Sequence, residues 1–261
     1  MTKNSTKTAV CFVADFKYLY KNFPRIHKQL TNVGKYKGEI VLVTSIFSPT
    51  FLISEIRNNK RIKVMRFKKI KFKKSAELSL KTLSSFPNRH TTKRFQWQKF
   101  NLFKYEMKKW DYLFYLDINM TIHHDINLIL DQKPIKKLYA RSDGYPDYTR
   151  ILKSQFDDKK EKFEDLNKNF NLQDKYYFQT GVLFFDTGII EKTTFKDLID
   201  LTNKYPISIT NEQGIFNIYF KFLKKSYEEL PIIIENFISY YYWNSKNKNI
   251  IITKSLHEKF K

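Results

Sequence analysis

The chain has 261 residues, enough for one large α/β domain or two small ones, and the scaling of buried surface with size favours a single core. With 42% hydrophobic and 17% aromatic residues, the composition excludes an intrinsically disordered chain. The formal net charge of +22 suggests a polyanion partner, but 40 of the 48 basic residues are Lys and only 8 are Arg, which argues against specific nucleic-acid recognition.

The single cysteine and the short apolar runs indicate the cellular compartment in which the protein is expected. Cys11 lies inside an apolar run, so no disulfide can form within the chain, which fits a reducing compartment. Residues 1–7 are polar and the apolar run after them is too short for a signal peptide. No stretch approaches the ~18 consecutive apolar residues that a membrane span requires. We therefore expect a soluble, cytoplasmic protein.

The N-terminal part of the chain has the pattern of a βαβ unit. Residues 8–14 predict a buried first strand, residues 19–33 a helix, and residues 39–44 a second strand. The two strands of such a unit are parallel, which places Asp15 at a carboxyl edge of the sheet, where nucleotides commonly bind. The alternative for Asp15 is a helix N-cap, and the pattern favours neither.

The next segment is rich in lysine. Residues 53–59 predict a short helix and residues 61–67 a third strand. The alternation continues through residues 68–74, whose lysines we interpret as a solvated strand face rather than an anion site. Residues 91–103 carry apolar side chains with helical spacing. Cations, Lys93 among them, stand near the start of this helix and oppose its dipole unless an anion is present, which favours a phosphate contact.

The central feature of the sequence is the aromatic-rich run at residues 112–116, which predicts a strand buried on both faces of a largely parallel sheet. Asp117 and Asn119 follow it, and both side chains project to the same side if the chain stays extended. A carboxylate and an amide oxygen at this edge can hold a hard divalent cation against a diphosphate. A buried strand that ends in an Asx turn explains the same residues equally well.

The C-terminal half continues the alternation of strands and helices. Asp143 lies in a loop with Gly and Pro, where it either accepts hydrogen bonds from a polyhydroxylated ligand or makes an Asx turn. Residues 149–175 are highly charged and predict one or two amphipathic helices at the periphery. We find no internal repeat and no linker, so residues 1–261 predict one domain with a mixed sheet. Further strands are predicted at residues 138–141, 176–186, 231–234 and 249–253, and further helices at 125–130, 192–203 and from 210 onward.

Six stretches coincide, in order, with the motifs of one known family. They are residues 14–18 (Ala-Asp-Phe-Lys-Tyr), 92–97 (Thr-Lys-Arg-Phe-Gln-Trp), 115–120 (Tyr-Leu-Asp-Ile-Asn-Met), 143–147 (Asp-Gly-Tyr-Pro-Asp), 178–182 (Phe-Gln-Thr-Gly-Val) and 212–217 (Glu-Gln-Gly-Ile-Phe-Asn). The chain resembles the family 8, glycogenin-like glycosyltransferases of the GT-A fold. The resemblance implies an α/β fold with a Rossmann-like mixed central sheet flanked by helices.

The resemblance also implies an activity and a set of site residues. The implied enzyme transfers a sugar from a nucleotide sugar, with UDP as the nucleotide and retention of configuration, to a carbohydrate or glycoprotein acceptor. Nucleic acid is not an expected partner, whereas a homodimer is. The implied nucleotide contacts are Ala14, Asp15, Tyr18 and Lys93, and the implied Mn²⁺ ligands are Asp117, Asn119 and, in a shifted register, His257. The implied donor-sugar contacts are Asp143, Gln179, Gly181, Glu212 and Gln213, of which Gln179, Glu212 and Gln213 are also the catalytic candidates.

The chain departs from the family pattern at several of these positions. Asn119 replaces a carboxylate, which weakens a site for Mn²⁺ because less charge compensates the ion. Gln179 is one methylene longer than the family's asparagine, and Glu212 stands where aspartate is usual. The C-terminal motif of the family, with its histidine and lysine, is not recognisable, and counting back from Lys259 puts Thr253 at the histidine position. Residues 149–175 resemble a helical insertion near the acceptor side.

Two alternatives follow from these observations. The first is a degenerate member of the fold that binds sugar or acts as a scaffold without catalysis, which the neutral Asn119 and the missing C-terminal motif suggest. The second is a basic protein that binds polyanions through its +22 charge. Such a protein would bind oligonucleotides with an affinity that falls steeply with salt.

Overall fold

The computed structural model describes residues 6–57, 59–84, 89–143, 150–241 and 249–254. The strands are β1 (Thr8–Val13), β2 (Glu39–Ser45), β3 (Ile62–Phe67), β4 (Tyr112–Leu116), β5 (Met120–Ile122), β6 (Leu138–Ser142), β7 (Phe178–Asp186), β8 (Tyr227–Glu229), β9 (Ile233–Ile234), β10 (Phe237–Tyr241) and β11 (Ile250–Lys254). The α-helices are α1 (Phe16–Asn32), α2 (Ser54–Arg57), α3 (Lys74–Lys81), α4 (Arg89–Thr92), α5 (Asn127–Leu130), α6 (Lys162–Asn169), α7 (Thr194–Lys204) and α8 (Glu212–Phe216). Segments of 3-10 helix cover Thr50–Leu52, Arg94–Phe103, Tyr105–Lys109, Leu152–Gln155 and Thr187–Ile189, and a π-helix covers Asn217–Leu223.

The main sheet has the strand order β3-β2-β1-β4-β7-β6-β8. The first four strands in this order are parallel to one another, whereas β7 is antiparallel to both of its neighbours. The carboxyl ends of β1 to β4 therefore lie at one edge of the sheet. Because β7 runs the other way, its N-terminal residues reach the same edge, with Val182 opposite Leu116.

The apolar runs in the sequence reflect strands that are buried on both faces. In β1, Ala9 and Cys11 belong to one hydrophobic cluster, while Val10 and Phe12 belong to the cluster on the opposite face. All four side chains are fully buried. Burial also raises the pKa of the Cys11 thiol well above its usual range, so the sole cysteine is an unreactive part of the core.

Helices cover both faces of this sheet. Helix α1 packs on one face because its apolar residues recur at helical spacing: Leu19, Phe23, Ile26 and Leu30. The opposite face is covered by α3, the 3-10 segment Arg94–Phe103, α7 and α8, whose buried residues share one cluster. The α/β architecture with a mixed central sheet flanked by helices is thus confirmed.

A smaller sheet with the order β5-β11-β10-β9 packs on the α1 side. Strand β11 is antiparallel to β5 and parallel to β10. In this register Lys254 stands opposite Met120, three residues after Asp117. The last described residues of the chain are thereby attached to the edge where β4 ends. The pairing of β5 was not anticipated from the sequence, nor was the short strand β8.

In the lysine-rich segment, the predicted strand face at residues 68–74 was wrong, and the predicted helix at residues 91–103 was helical but of a different type. Strand β3 ends at Phe67, and residues 68–73 pair with no strand before α3 begins at Lys74. The alternation there reflects the burial of Ile70 and Phe72 between exposed lysines, which does not require a strand. The predicted helix at residues 91–103 consists of α4 and a 3-10 segment, in keeping with apolar residues that recur every three positions.

The described part of the charged segment at residues 149–175 contains an amphipathic surface helix, as predicted: α6 buries Phe163 and Leu166, and its other residues are exposed. The same part contains the 3-10 segment Leu152–Gln155, and Phe156 and Phe163 join the cluster beneath the main sheet. A role near the acceptor and the presence of a single domain both stay predictions. Among the described helices, none is both long and apolar enough to cross a bilayer.

Candidate functional site

A cavity of about 770 Å³ lies at the edge where the first four parallel strands end. Val13, Ser45, Phe67 and Tyr115 line it, one from each of β1 to β4. Ligands of open α/β sheets bind at such an edge because the strands stop and the loops diverge there. We refer to this space as the large cavity.

The large cavity is strongly cationic. Among the described residues, its lining includes six basic side chains and two acidic ones, Asp15 and Asp117. The basic residues are Lys69, Arg89, Lys93, Arg94, Lys99 and Lys254. Arg94 is paired with Glu77 at 2.9 Å, so part of this charge is compensated locally. The remaining excess suits an anionic ligand.

All four residues predicted to contact a nucleotide line the large cavity: Ala14, Asp15, Tyr18 and Lys93. Asp15 is the N-cap of α1, since its Oδ1 accepts a hydrogen bond of 2.9 Å from the backbone N–H of Tyr18. The capping alternative for Asp15 is therefore correct, and the same residue still faces the cavity. The ring of Tyr18 is 46% exposed. It lies at the surface of the cavity, where a flat ligand can stack on it.

The backbone after β4 forms a turn instead of continuing as a strand. The N–H of Met120 donates to the carbonyl of Asp117 over 3.0 Å, and residues 118–119 are in a turn. The chain is therefore not extended between Asp117 and Asn119, and the condition under which both side chains would project to the same side is not met. Asn119 is exposed, whereas the Asp117 side chain is only 20% exposed, although both residues line the large cavity.

A second cavity of about 450 Å³ adjoins the first; we call it the small cavity. It contains every residue predicted to contact the donor sugar: Asp143, Gln179, Gly181, Glu212 and Gln213. Strand β7 supplies two of them because it runs antiparallel to β4, and α8 supplies another two at its first turn. The loop residues 144–147 of the predicted sugar motif lie outside the described residues.

The wall between the two cavities contains a buried lysine that the sequence analysis missed. Lys99 Nζ lies 2.7 Å from Glu212 Oε1 and 3.3 Å from Asp117 Oδ1, and it donates to the Thr180 carbonyl over 3.0 Å. The Thr180 hydroxyl donates to the same Glu212 oxygen over 2.8 Å. The apolar positions 97, 100 and 103 share one face of the 3-10 segment, so their spacing gave no signal that Lys99 is buried.

The second oxygen of Glu212 is left for a ligand. Glu212 is 1% exposed, and its Oε2 has no hydrogen-bond partner among the described residues. A buried carboxylate oxygen without a partner is unfavourable because it has lost water without replacement. Since Glu212 lines the small cavity, a hydroxyl group bound there can satisfy this oxygen.

The Gln213 side chain is held in place by hydrogen bonds to two other parts of the chain. Its Oε1 accepts from the Thr180 N–H over 3.3 Å, and its Nε2 donates to Gln155 Oε1 over 2.9 Å. Gln155 in turn donates to the Tyr177 hydroxyl over 3.1 Å, which donates to Asp143 Oδ2 over 2.6 Å. This chain of hydrogen bonds connects Asp143 to Gln213 across the small cavity. Gln155 was not recognised in the sequence because it lies in the segment interpreted as peripheral.

Burial and neighbouring charges shift the pKa values of the acidic and basic residues around the two cavities. Burial alone raises the pKa of Asp117, but Lys99 and Lys254 outweigh it and lower this pKa to about 2. Burial likewise opposes the charge of Lys99, whereas Asp117 and Glu212 raise its pKa above the ordinary lysine value. Burial raises the pKa of Asp143, an effect that the hydrogen bond from Tyr177 only partly offsets. Asp117 and Lys99 are therefore charged at neutral pH.

The divalent metal that the resemblance implies does not fit these donors. Asp117 Oδ1 accepts from the Tyr115 hydroxyl and faces Lys99, while Oδ2 lies 3.3 Å from Lys254 Nζ. Asn119 adds no charge, and within the described ranges no three His, Cys, Asp or Glu side chains come together as a ligand set. His257 lies outside the described residues. A cation bound to Asp117 would meet two ammonium groups, whose repulsion opposes its binding.

Solved structures show which fold this arrangement represents. The galactosyltransferase LgtC, solved with donor and acceptor sugar analogues, has a TM-score of 0.60 and 13% identity over 96% of this chain and 87% of that chain. Mouse xyloside xylosyltransferase 1 has a TM-score of 0.53 and 11% identity over 95% and 96%. The glycosyltransferase GlyE of Streptococcus pneumoniae TIGR4 has a TM-score of 0.52 and 19% identity, and the match spans 87% of this chain and 46% of GlyE. No family model and no curated protein matches the chain.

The chain has the GT-A fold, and its structural neighbours are glycosyltransferases. This confirms the fold that the six sequence motifs predict. Each of the six motifs contributes at least one residue to the lining of the two cavities.

Proposed function

We propose that this protein is a glycosyltransferase that takes its sugar from a nucleotide sugar, with UDP-sugars as the donor class. One observation carries the proposal: a cationic large cavity and a polar small cavity share a wall that contains Arg89, Lys99 and Lys254. A nucleotide sugar has matching groups in the same order: a nucleoside for the large cavity, a dianionic diphosphate for the cationic wall and a polyhydroxylated sugar for the small cavity.

In this proposal the nucleoside occupies the large cavity. Tyr18 offers a ring for the base, and the edge of β1 at Ala14 and Asp15 offers backbone and carboxylate acceptors for its N–H groups and for the ribose hydroxyls. Lys93 is exposed at the same cavity and contributes charge toward the phosphates. The nucleotide residues implied by the resemblance thus have chemistry suited to their positions.

The donor sugar then occupies the small cavity. Glu212 Oε2 and Asp143 accept hydrogen bonds from sugar hydroxyls, and the amides of Gln179 and Gln213 both donate and accept. The Tyr240 hydroxyl donates to Gln179 Oε1 over 3.0 Å, which fixes the orientation of that amide. Gly181 is required for the packing of this wall, since a Cβ at this position would lie 2.7 Å from Met120 Cε.

Catalysis in this proposal rests on electrostatic stabilisation. As the bond from the anomeric carbon to the diphosphate breaks, negative charge develops on the diphosphate and positive charge on the sugar ring. The cations of the shared wall stabilise the negative charge on the diphosphate. The positive charge on the sugar ring is stabilised from the sugar side by the Glu212 carboxylate and by the amide of Gln179 or Gln213. Retention of configuration and a carbohydrate or glycoprotein acceptor are carried over from the resemblance, as is a homodimer.

The first test is UDP release by the purified protein from UDP-glucose, UDP-galactose, UDP-xylose and UDP-N-acetylglucosamine. We expect hydrolysis of one donor, and a Glu212→Gln variant should lower its rate roughly a hundredfold, the size of losing one preorganised electrostatic contact. Glu164→Gln, at an exposed position in α6, is the matched control and should leave the rate unchanged. Release from no donor, together with no binding of UDP, would refute the proposal.

A non-catalytic, sugar-binding protein is the second candidate, because Asn119 is exposed and Asp117 is already paired with lysines. Such a protein would bind UDP or a UDP-sugar in calorimetry yet release no UDP from any donor. The polyanion-binding alternative predicts instead that an oligonucleotide binds with steep salt dependence and is not displaced by UDP. The donor panel and the displacement experiment separate all three.

A further inference from the structure

The position of the diphosphate can be inferred from the residues common to both cavities; this inference rests on the proposed function. Five residues line the large and the small cavity alike: Arg89, Gln96, Lys99, Asp117 and Lys254. A nucleotide sugar that spans the two cavities brings its diphosphate to this shared wall. Three of the five residues are cations, so the wall already carries positive charge where the leaving group develops negative charge.

Among the cations of this wall is Lys254, whose backbone is held by strand pairing and whose side chain is partly accessible to solvent. Its strand, β11, is antiparallel to β5, which places Lys254 opposite Met120 and beside the turn that begins at Asp117. Its Nζ lies 3.3 Å from Asp117 Oδ2, and the side chain is 18% exposed. Asp117 therefore orients the ammonium without removing it from the two cavities.

Lys99 has a different role because it is enclosed. Its side chain is 5% exposed and its Nζ contacts Asp117, Glu212 and Thr180 at once. Moving this ammonium toward a ligand would leave the buried carboxylate of Glu212 without the cation that compensates its charge, which is costly. Lys99 stabilises the wall, and Lys254 faces the ligand.

We propose that Lys254, oriented by Asp117, neutralises the leaving diphosphate and that this protein transfers sugar without a divalent cation. In the step, the bond between the anomeric carbon and the diphosphate oxygen breaks, and its electron pair stays on the nucleoside diphosphate. The oxygen of the acceptor hydroxyl, or of water in hydrolysis, forms the new bond to that carbon and releases its proton to the solvent. The lysine supplies charge and is unchanged at the end.

The test compares the full-length wild-type protein in excess EDTA and in Mn²⁺, with UDP affinity and UDP release from the accepted donor as readouts. We expect both readouts to be the same in the two solutions. Lys254→Gln should weaken UDP binding roughly tenfold to a hundredfold, the range for losing one charge-assisted contact, and Lys254→Arg should retain most of it. Lys63→Gln is the matched control: it removes another strand lysine paired with a carboxylate, at 3.7 Å from Glu39 and away from both cavities.

The outcomes separate this inference from the proposed function. Donor hydrolysis that disappears in EDTA and returns with Mn²⁺ would overturn the inference while the transferase function stands. UDP affinity that is equal in Lys254→Gln and wild type would overturn it as well. No binding and no hydrolysis in either solution would refute the proposed function itself. The comparison of EDTA with Mn²⁺ uses the wild-type protein, so it decides the question even if a variant fails to fold.

Discussion

At the residue scale, the site depends on a small group of buried charges that compensate one another. Lys99 lies between Asp117, which follows β4, and Glu212, which begins α8. Each carboxylate would be unfavourable in this position alone, because burial removes its water. The lysine compensates the charge of both carboxylates in the wall between the two cavities.

Replacing Lys99 by methionine should destabilise the protein by roughly 3–5 kcal/mol, the range for removing one partner of a buried ion pair. The physical reason is that Glu212 and Asp117 remain buried with less compensation. Urea unfolding followed by circular dichroism measures the change. Lys28→Met, at an exposed position of α1, is the control and should change stability by less than about 0.5 kcal/mol. Equal stability of Lys99→Met and wild type would contradict the buried ion pair.

The lowered pKa of Asp117 predicts that the protein loses stability at acidic pH. This pKa is lowered to about 2 in the folded protein because Lys99 and Lys254 outweigh burial, whereas it is about 3.9 when unfolded. A lowered pKa gives stability that is complete above the unfolded value and is lost as pH falls from about 4 to about 2, on the order of 2 kcal/mol. Urea unfolding at several pH values measures this slope. The slope should be smaller in Asp117→Asn, and an unchanged slope would contradict the assignment.

At the element scale, the entrance to β7 is held by one side chain of the π-helix. The Phe178 N–H donates to Asn217 Oδ1 over 2.8 Å, and Asn217 Nδ2 donates to the Phe178 carbonyl over 2.7 Å and to the Gln213 carbonyl over 2.9 Å. Asn217 thus connects the first residue of β7 to α8. Those two elements carry Gln179, Glu212 and Gln213, so their relative position determines the shape of the small cavity.

Replacing Asn217 by alanine should destabilise the protein by about 2–4 kcal/mol, because it leaves buried backbone groups of Phe178 without partners. It should also lower the rate of donor hydrolysis, since the residues of the small cavity shift together. Thermal unfolding and UDP release measure the two effects. Asn169→Ala, at the exposed end of α6, is the control and should affect neither. A variant as stable as wild type would show that Asn217 does not hold β7 and α8 together.

At the scale of the whole molecule, the main sheet separates two hydrophobic clusters. The same strands contribute side chains to both clusters. Residues of β1, β4 and β7 alternate between the clusters, so neither face can lose its packing without disturbing the other. The small sheet adds to this connection, because β11 pairs with β5 and Ile252 packs in the cluster on the α1 side.

This architecture predicts a single cooperative unfolding transition, which would also test the single domain expected from the sequence. Far-ultraviolet circular dichroism and tryptophan fluorescence should give coincident melting curves, and the calorimetric and van't Hoff enthalpies should agree. Because the net charge of +22 is self-repulsive, the midpoint should rise with moderate salt. Two separate transitions would show that the small sheet, or another part, unfolds independently.

The sequence by itself determined the strand-rich core, the edge of the sheet and the predicted site residues within each of the two cavities. Those features are local: burial on both faces makes a short unbroken apolar run, and a polar residue after such a run marks the end of a strand. Asp15, Asp117, Gln179 and Glu212 were found in this way or through motifs of adjacent residues. Where the local pattern was ambiguous, as at residues 68–74, the prediction failed because alternating burial does not require strand pairing.

Only the tertiary structure decided which charges meet. Lys254 and Asp117 are 137 positions apart, and Lys99 and Thr180 are 81 apart, so their contacts depend on sheet order and register. No short pattern encodes these distances. The sequence motif at residues 115–120 suggested a metal between Asp117 and Asn119, whereas the pairing of β11 with β5 brings an ammonium group to that carboxylate instead. The balance of charge around Asp117 is a property of the fold, because it is set by side chains from strands that meet only after folding.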